Sequence, residues 1–160
     1  MGQIDPAIEE ILLREGGFVD NPADRGGPTA WGISKKWNPE AWTNGPPSRE
    51  TAAAIYEDRY INKPGFAKIG AGNLREFLVD YGVTSGPAVA IQKLQRVLGV
   101  AADGVLGPQT LVALTKRDPN SLLNQLIDER LKSLVRLVQA KPAQLQFLYG
   151  WVTRVLSFRS

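Results

Sequence analysis

Glycine and proline cut this chain into segments, and inside almost every segment the apolar residues recur at helical rather than alternating spacing. The 160 residues hold 16 Gly and 11 Pro. Asp5 suits an N-cap and Pro6 the first helical position. Ile8, Ile11, Leu12 and Glu15 then fall at i, i+3, i+4 and i+7, one face of a helix that Gly16 and Gly17 end. The exception to helical spacing follows at once. Phe18-Val19 and Thr29-Ala30-Trp31-Gly32-Ile33 flank a turn-rich stretch from Asp20 to Pro28, which predicts a small sheet.

Ser34 is expected to cap a short helix, and Ser48 to open one reaching about Ile61 with Ala54, Ile55 and Tyr56 at its apolar positions. Beyond a Gly/Pro-rich connector the pattern is helical. Asn73 with Glu76 resembles a capping box. Val89, Ile91, Leu94 and Val97 mark a helix from about Gly86 to Leu98, and PQTLVALTKR a shorter one. Asn120 or Ser121 is placed as the cap of a long helix to about Ala140, with Leu123, Ile127, Leu131, Leu134 and Val138 as its stripe. Pro142 opens the last helix. The expected fold is mainly α, a helical bundle with one small β element near the N-terminus.

The chain contains neither cysteine nor histidine. That excludes a disulfide framework, a Cys or His metal site, and any Ser-His or Cys-His nucleophile. Acid–base chemistry must therefore run on Asp, Glu, Tyr or Lys, of which paired carboxylates are the usual choice. Asp103-Gly104 lacks the alternating acidic ligands of a calcium loop and reads as a turn, so no metal and no cofactor is expected.

Charge is unevenly spread. Residues 1–70 carry 8 Lys/Arg against 10 Asp/Glu, whereas residues 120–160 carry 6 against 2. The basic tail, with Arg130, Lys132, Arg136, Lys141, Arg154 and Arg159, could contact an anionic wall polymer or outer-membrane lipid, or be simply a solvated basic helix face. No recognition motif accompanies it, so nucleic acid is not an expected partner. The first residues show neither the positive charge nor the continuous apolar run of a secretory signal.

Glu15 is the first catalytic candidate. It shares the apolar face of its helix, where a charged side chain is rarely placed. Partial desolvation there and the negative end of the helix dipole would both favour the neutral carboxylic acid, the form a general acid needs. A glutamate paired with a buried arginine, or capping a turn, is the alternative. Asp24 follows nine residues on in a loop able to fold back over the helix end, and Thr29 adds a hydroxyl that can orient a water. Acid, second carboxylate and water-positioning hydroxyl together suit glycosidic bond hydrolysis. Asp24 in Asn-Pro-Ala-Asp-Arg-Gly-Gly is also good turn chemistry. Trp31, next to Thr29, is the aromatic best placed to stack on a sugar.

Two stretches, Glu15-Gly16-Gly17-Phe18-Val19 and Asn21 through Ile33, resemble the signature of glycoside hydrolase family 108, lysozyme-like N-acetylmuramidases of phage endolysins and secretion systems. Glu15, Asp24 and Thr29 are also similar to the Glu–Asp–Thr triad of phage-type lysozymes, one residue shorter between Asp and Thr. The stretches Asp80–Val83, Ala90–Val100 and Asp103–Leu111 resemble the peptidoglycan-binding module that accompanies this family.

The resemblance implies a lysozyme-like α+β fold, with a catalytic region over 1–70 and a helical peptidoglycan-binding module with the C-terminal helices over 71–160, packed as one unit. It implies an endolysin-type muramidase cleaving the β-1,4 bond between N-acetylmuramic acid and N-acetylglucosamine. Glu15 would be the general acid, Asp24 and Thr29 its partners, and Trp31 a substrate contact. Peptidoglycan is the expected partner of a monomer that waits in the host cytoplasm until released to the wall. The rival readings are a lytic transglycosylase and a wall-binding protein without activity.

Overall fold

The structure, a computed structural model, describes residues 2–23 and 25–159. It is mainly helical with one small antiparallel sheet, and it divides into two compact units, residues 1–63 and 64–160.

In the first unit, α1 (Pro6–Glu15) begins where the cap predicts. The Asp5 carboxylate accepts from the Ala7 N–H at 3.0 Å, and Gly16, with φ of 69°, closes the other end. Ala7, Ile8, Ile11 and Leu12 are buried, so this helix supplies one wall of the unit's core. The sheet follows as β1 (Phe18–Val19), β2 (Thr29–Ala30) and β3 (Ile33–Ser34), in that spatial order. Its register pairs Phe18 with Ala30 and Val19 with Thr29, then Ala30 with Ile33.

Ser34 is part of β3 rather than a helix cap. Its hydroxyl is spent on the Gly26 carbonyl, and the short 3₁₀ turn that follows, Pro39–Trp42, is preceded by Asn38. Trp42 is buried under the sheet, its indole N–H donating to the Ile33 carbonyl at 3.2 Å. The next helix, α2 (Arg49–Glu57), is capped by Ser48 as expected and runs into a π turn over Asp58–Asn62. Its buried face is Ala52, Ala53 and Tyr56, however, with Ala54 exposed. Packing against α1 sets that face, which keeps Tyr56 and leaves Ile55 only half-buried.

The second unit is helical: α3 (Asn73–Ser85), α4 (Pro87–Leu98), α5 (Pro108–Thr115), α6 (Pro119–Ala140) and α7 (Leu145–Leu156). Two caps differ from expectation. Asn73 is already inside α3 and makes no capping bond, because Gly72 occupies the cap. Asp118 caps α6 through the Ser121 N–H, with Pro119 in the first position where its missing donor costs nothing. Ala90, Ile91 and Leu94 of α4 meet Leu122, Leu123, Leu126 and Ile127 of α6 in the core. Val89 is exposed, as is the outer edge of the α6 stripe, where Leu131 and Val138 are only half-buried.

A buried amide organises the loop between α4 and α5. Gln95 donates to Asp103, to the Val105 carbonyl and to Thr110 within 3.0 Å, and it accepts from the Gly104 N–H. Asp103 thus serves the turn expected of it. Its carboxyl is held below the usual carboxylate range, first by the Val105 N–H and then by Gln95. Among the described residues no helix is long and apolar enough to cross a membrane, and no cluster of acidic side chains could hold a metal.

Candidate active site

The turn joining β2 to β3 consists of Trp31 and Gly32, with φ of 55° and 78°. Two positive values in a two-residue hairpin loop are the type I′ pattern, whose twist matches the strands it joins. Glycine takes this backbone freely. A tryptophan does so at a cost on the order of 1 kcal/mol, and Trp31 is the only non-glycine with positive φ among the described residues.

Three contacts hold it there. The Tyr56 hydroxyl donates to the Trp31 carbonyl at 2.9 Å, the Trp31 N–H donates to the Gly17 carbonyl at 3.3 Å, and the Arg49 guanidinium stands 6.0 Å from the indole ring. Arg49 is in turn ion-paired with Glu9 of α1. Helices α1 and α2 therefore fix a strained turn beside the end of α1.

Glu15 lies against that turn. A Cβ on Gly32 would collide with Tyr56 Oη and stand 3.0 Å from both Cγ and Oε2 of Glu15. Only a glycine lets the carboxyl and the phenol converge on this backbone. Tyr56 is buried and stacks on Tyr60, with ring centroids 5.9 Å apart. Burial first, and then the neighbouring Glu15 charge, push its hydroxyl above the ordinary tyrosine range. It is consequently a neutral hydrogen-bond donor at any physiological pH.

The Glu15 side chain differs from expectation in one respect. Its helical phase is that of Ile8, Ile11 and Leu12, yet it is exposed, because the last turn of α1 runs past the core and open space surrounds Gly16 and Gly17. Desolvation does not come from the fold. Nor does either bland role for a glutamate apply, since its carboxylate makes no hydrogen bond or ion pair with another described residue. By contrast, Glu9 pairs with Arg49, and Glu10 lies 4.0 Å from Arg14.

Thr29 is half-buried in β2, and its hydroxyl likewise makes no hydrogen bond with a described residue. Asp24 lies outside the described residues. The other tryptophans are sorted by their surroundings: Trp42 is core, Trp37 is 74% exposed under the Lys36 ammonium, and Trp151 belongs to the second unit. The sequence marks Tyr56 only as an apolar helix position and Gly32 only as part of the strand stretch, neither as a site residue. Tyr56 sits 25 residues from the carbonyl it binds, and no local pattern signals such a bond.

The basic tail also changes meaning. Arg154 donates to Asp80 through Nε at 3.0 and 3.1 Å, and Arg159 pairs with Asp128 at 2.7 Å. Both charges are engaged within the second unit. The Arg154 pair is largely buried and structural, whereas the Arg159 pair lies on the solvated surface.

The comparisons agree with this layout. Residues 8–86 match the model of the family described as glycosyl hydrolase 108, and residues 89–156 match a predicted peptidoglycan domain. The solved structure of SagA from Brucella abortus is similar at 33% sequence identity, covering 96% of this chain and 89% of that one, with a TM-score of 0.72. No curated protein matches the chain. A carboxylate-bearing helix end set against a hairpin turn, in a chain that matches a hydrolase model and then a peptidoglycan domain, is that of a lysozyme-like glycoside hydrolase acting on peptidoglycan, and the chain belongs to the glycosyl hydrolase 108 family.

Proposed function

We propose that the chain is an endolysin-type N-acetylmuramidase that hydrolyses the β-1,4 bond between N-acetylmuramic acid and N-acetylglucosamine, with Glu15 as general acid. The observation that carries this is the Glu15 carboxyl itself: exposed, without a partner among the described residues, and seated against the Gly32 backbone beside a neutral Tyr56 hydroxyl. A carboxyl so placed is open to a bound glycan and is not spent on any contact within the fold.

In this reading Glu15 gives its proton to the leaving glycosidic oxygen, and the bound glycan excludes the water that the fold leaves around it. Asp24 supports the developing positive charge or activates water, and Thr29 holds that water with its unengaged hydroxyl. Trp31, with its ring half-exposed, offers a face to a sugar.

The anionic wall or lipid contact expected of the tail would fall to Arg136 and Lys141. Neither pairs with a carboxylate among the described residues, while Arg154 and Arg159 are engaged. Release from the host cytoplasm to the wall is the setting that suits such an enzyme.

Mass spectrometry of digested sacculi tests the reaction. Hydrolysis yields muropeptides with reducing ends, each heavier by one water than the anhydro product of a transglycosylase. Anhydro products would move the chain to the transglycosylase reading. Binding to sacculi without any soluble product would leave a wall-binding protein.

A further inference from the structure

A cavity of about 230 Å³ opens among α3, α6 and α7 of the second unit, lined by Phe77, Tyr81, Leu134 and Trp151 on its apolar side and by Arg130 and the Asp80–Arg154 pair on its polar side. The pair is electrically closed. Asp80 is buried and receives Arg154 in a two-pronged bond, so neither charge is left over. Arg130 is different. Its guanidinium lies 4.0 Å from the centroid of the Tyr81 ring, and Nη2 donates to the Ser85 and Thr84 hydroxyls at 3.2 and 3.4 Å.

All the partners of Arg130 among the described residues are neutral. Nε and Nη1 make no hydrogen bond with a described residue, leaving part of the guanidinium fork without an acceptor. A half-buried cation that is held by an aromatic face and two hydroxyls but has no counter-charge is preorganised for an anion. The walls beside it are hydrocarbon and ring, which suit a carboxylate attached to a small apolar group better than a bare, strongly hydrated ion.

We infer that this cavity binds a terminal carboxylate on a residue with a small apolar side chain, the chemistry of the free end of a peptidoglycan stem peptide, with Arg130 as the carboxylate's partner. The inference rests on the peptidoglycan reading of the chain and deepens it. It divides recognition between the stem peptide, read by the second unit, and the glycan, cut by the first.

The test titrates the full chain with N-acetyl-D-alanyl-D-alanine, followed by calorimetry and by tryptophan fluorescence, to which Trp151 in the cavity wall contributes. Saturable binding is expected. The same dipeptide as its C-terminal amide should bind about tenfold more weakly or worse, because a charge-assisted bond is lost. Inorganic phosphate at matched ionic strength should not compete. Arg130→Gln should weaken the acid to the level of the amide, and the amide comparison uses the unmodified protein, so the result stands whether or not that variant folds.

Equal binding of acid and amide overturns the proposal, as does displacement by phosphate. Pelleting with sacculi separates the two levels. A chain that pellets but ignores the dipeptide loses this site and keeps its wall function, and a chain that does not pellet loses both.

Discussion

Glu15 and Asp80 are both carboxylates on helices, and the two units treat them in opposite ways. Asp80 is buried in the second unit and accepts three hydrogen-bond contacts from Arg154, so its charge is met inside the protein. Glu15 stands at the end of α1 in the first unit, exposed, with a backbone glycine and a phenol beside it and no cation among its described partners. A fold keeps the first for its own stability. The second contributes nothing evident to stability, as the general-acid role proposed for it requires.

Substitutions should therefore separate the two. Asp80→Ala leaves Arg154 partly buried without its partner, and breaking such a pair costs about 3 kcal/mol, read as a fall in denaturant midpoint. A change below ~1 kcal/mol would show that the pair is solvated and the contrast overdrawn.

Gly32→Ala comes next. Its Cβ collides with Tyr56 Oη in a backbone that alanine adopts with strain, which should cost about 2 kcal/mol and lower wall hydrolysis about tenfold as Glu15 or Tyr56 shifts. Full activity in that variant would detach the turn from the site. Tyr56→Phe removes one neutral hydrogen bond to the Trp31 carbonyl and keeps the ring. A loss of about 1 kcal/mol in a thermal melt is expected.

The smallest effect is pH-dependent and lies in the second unit. Asp103 is depressed by the Val105 N–H and then by Gln95, so the unfolded chain takes up this proton first as pH falls. Its stabilising contribution is present above the unfolded value of about 3.9 and is lost as pH drops through the lower folded one. Melting temperatures of the parent and Asp103→Ala should differ at pH 6 and converge toward pH 2.5. A gap that stays constant would mean that the carboxylate charge is irrelevant to the loop.

What could be read from the sequence was local. Asp5, Pro6 and Gly16 bound α1 because caps act over three residues, and the Phe18-Val19 and Thr29-Ala30 pairing followed from turn chemistry between them. The phase of Glu15 was equally legible, but its exposure was not, since periodicity gives direction and not the depth to which a core extends. Distant pairings were invisible: Tyr56 to Trp31, and Arg154 to Asp80 across 74 residues, which turned a supposed tail charge into a structural one. Asp118 displaced Asn120 and Ser121 as the α6 cap because Pro119 can begin a helix and needs a cap before it.

Glu15 is proposed to serve chemistry alone, and one preparation of Glu15→Gln tests that role. Its turbidity assay on outer-membrane-permeabilised cells and its thermal melt should be read together against the parent. Wall lysis should fall at least about 10²-fold, with a melting temperature unchanged because the side chain has no described ion-pair partner to lose. Lysis at the parental rate by a folded Glu15→Gln would contradict it.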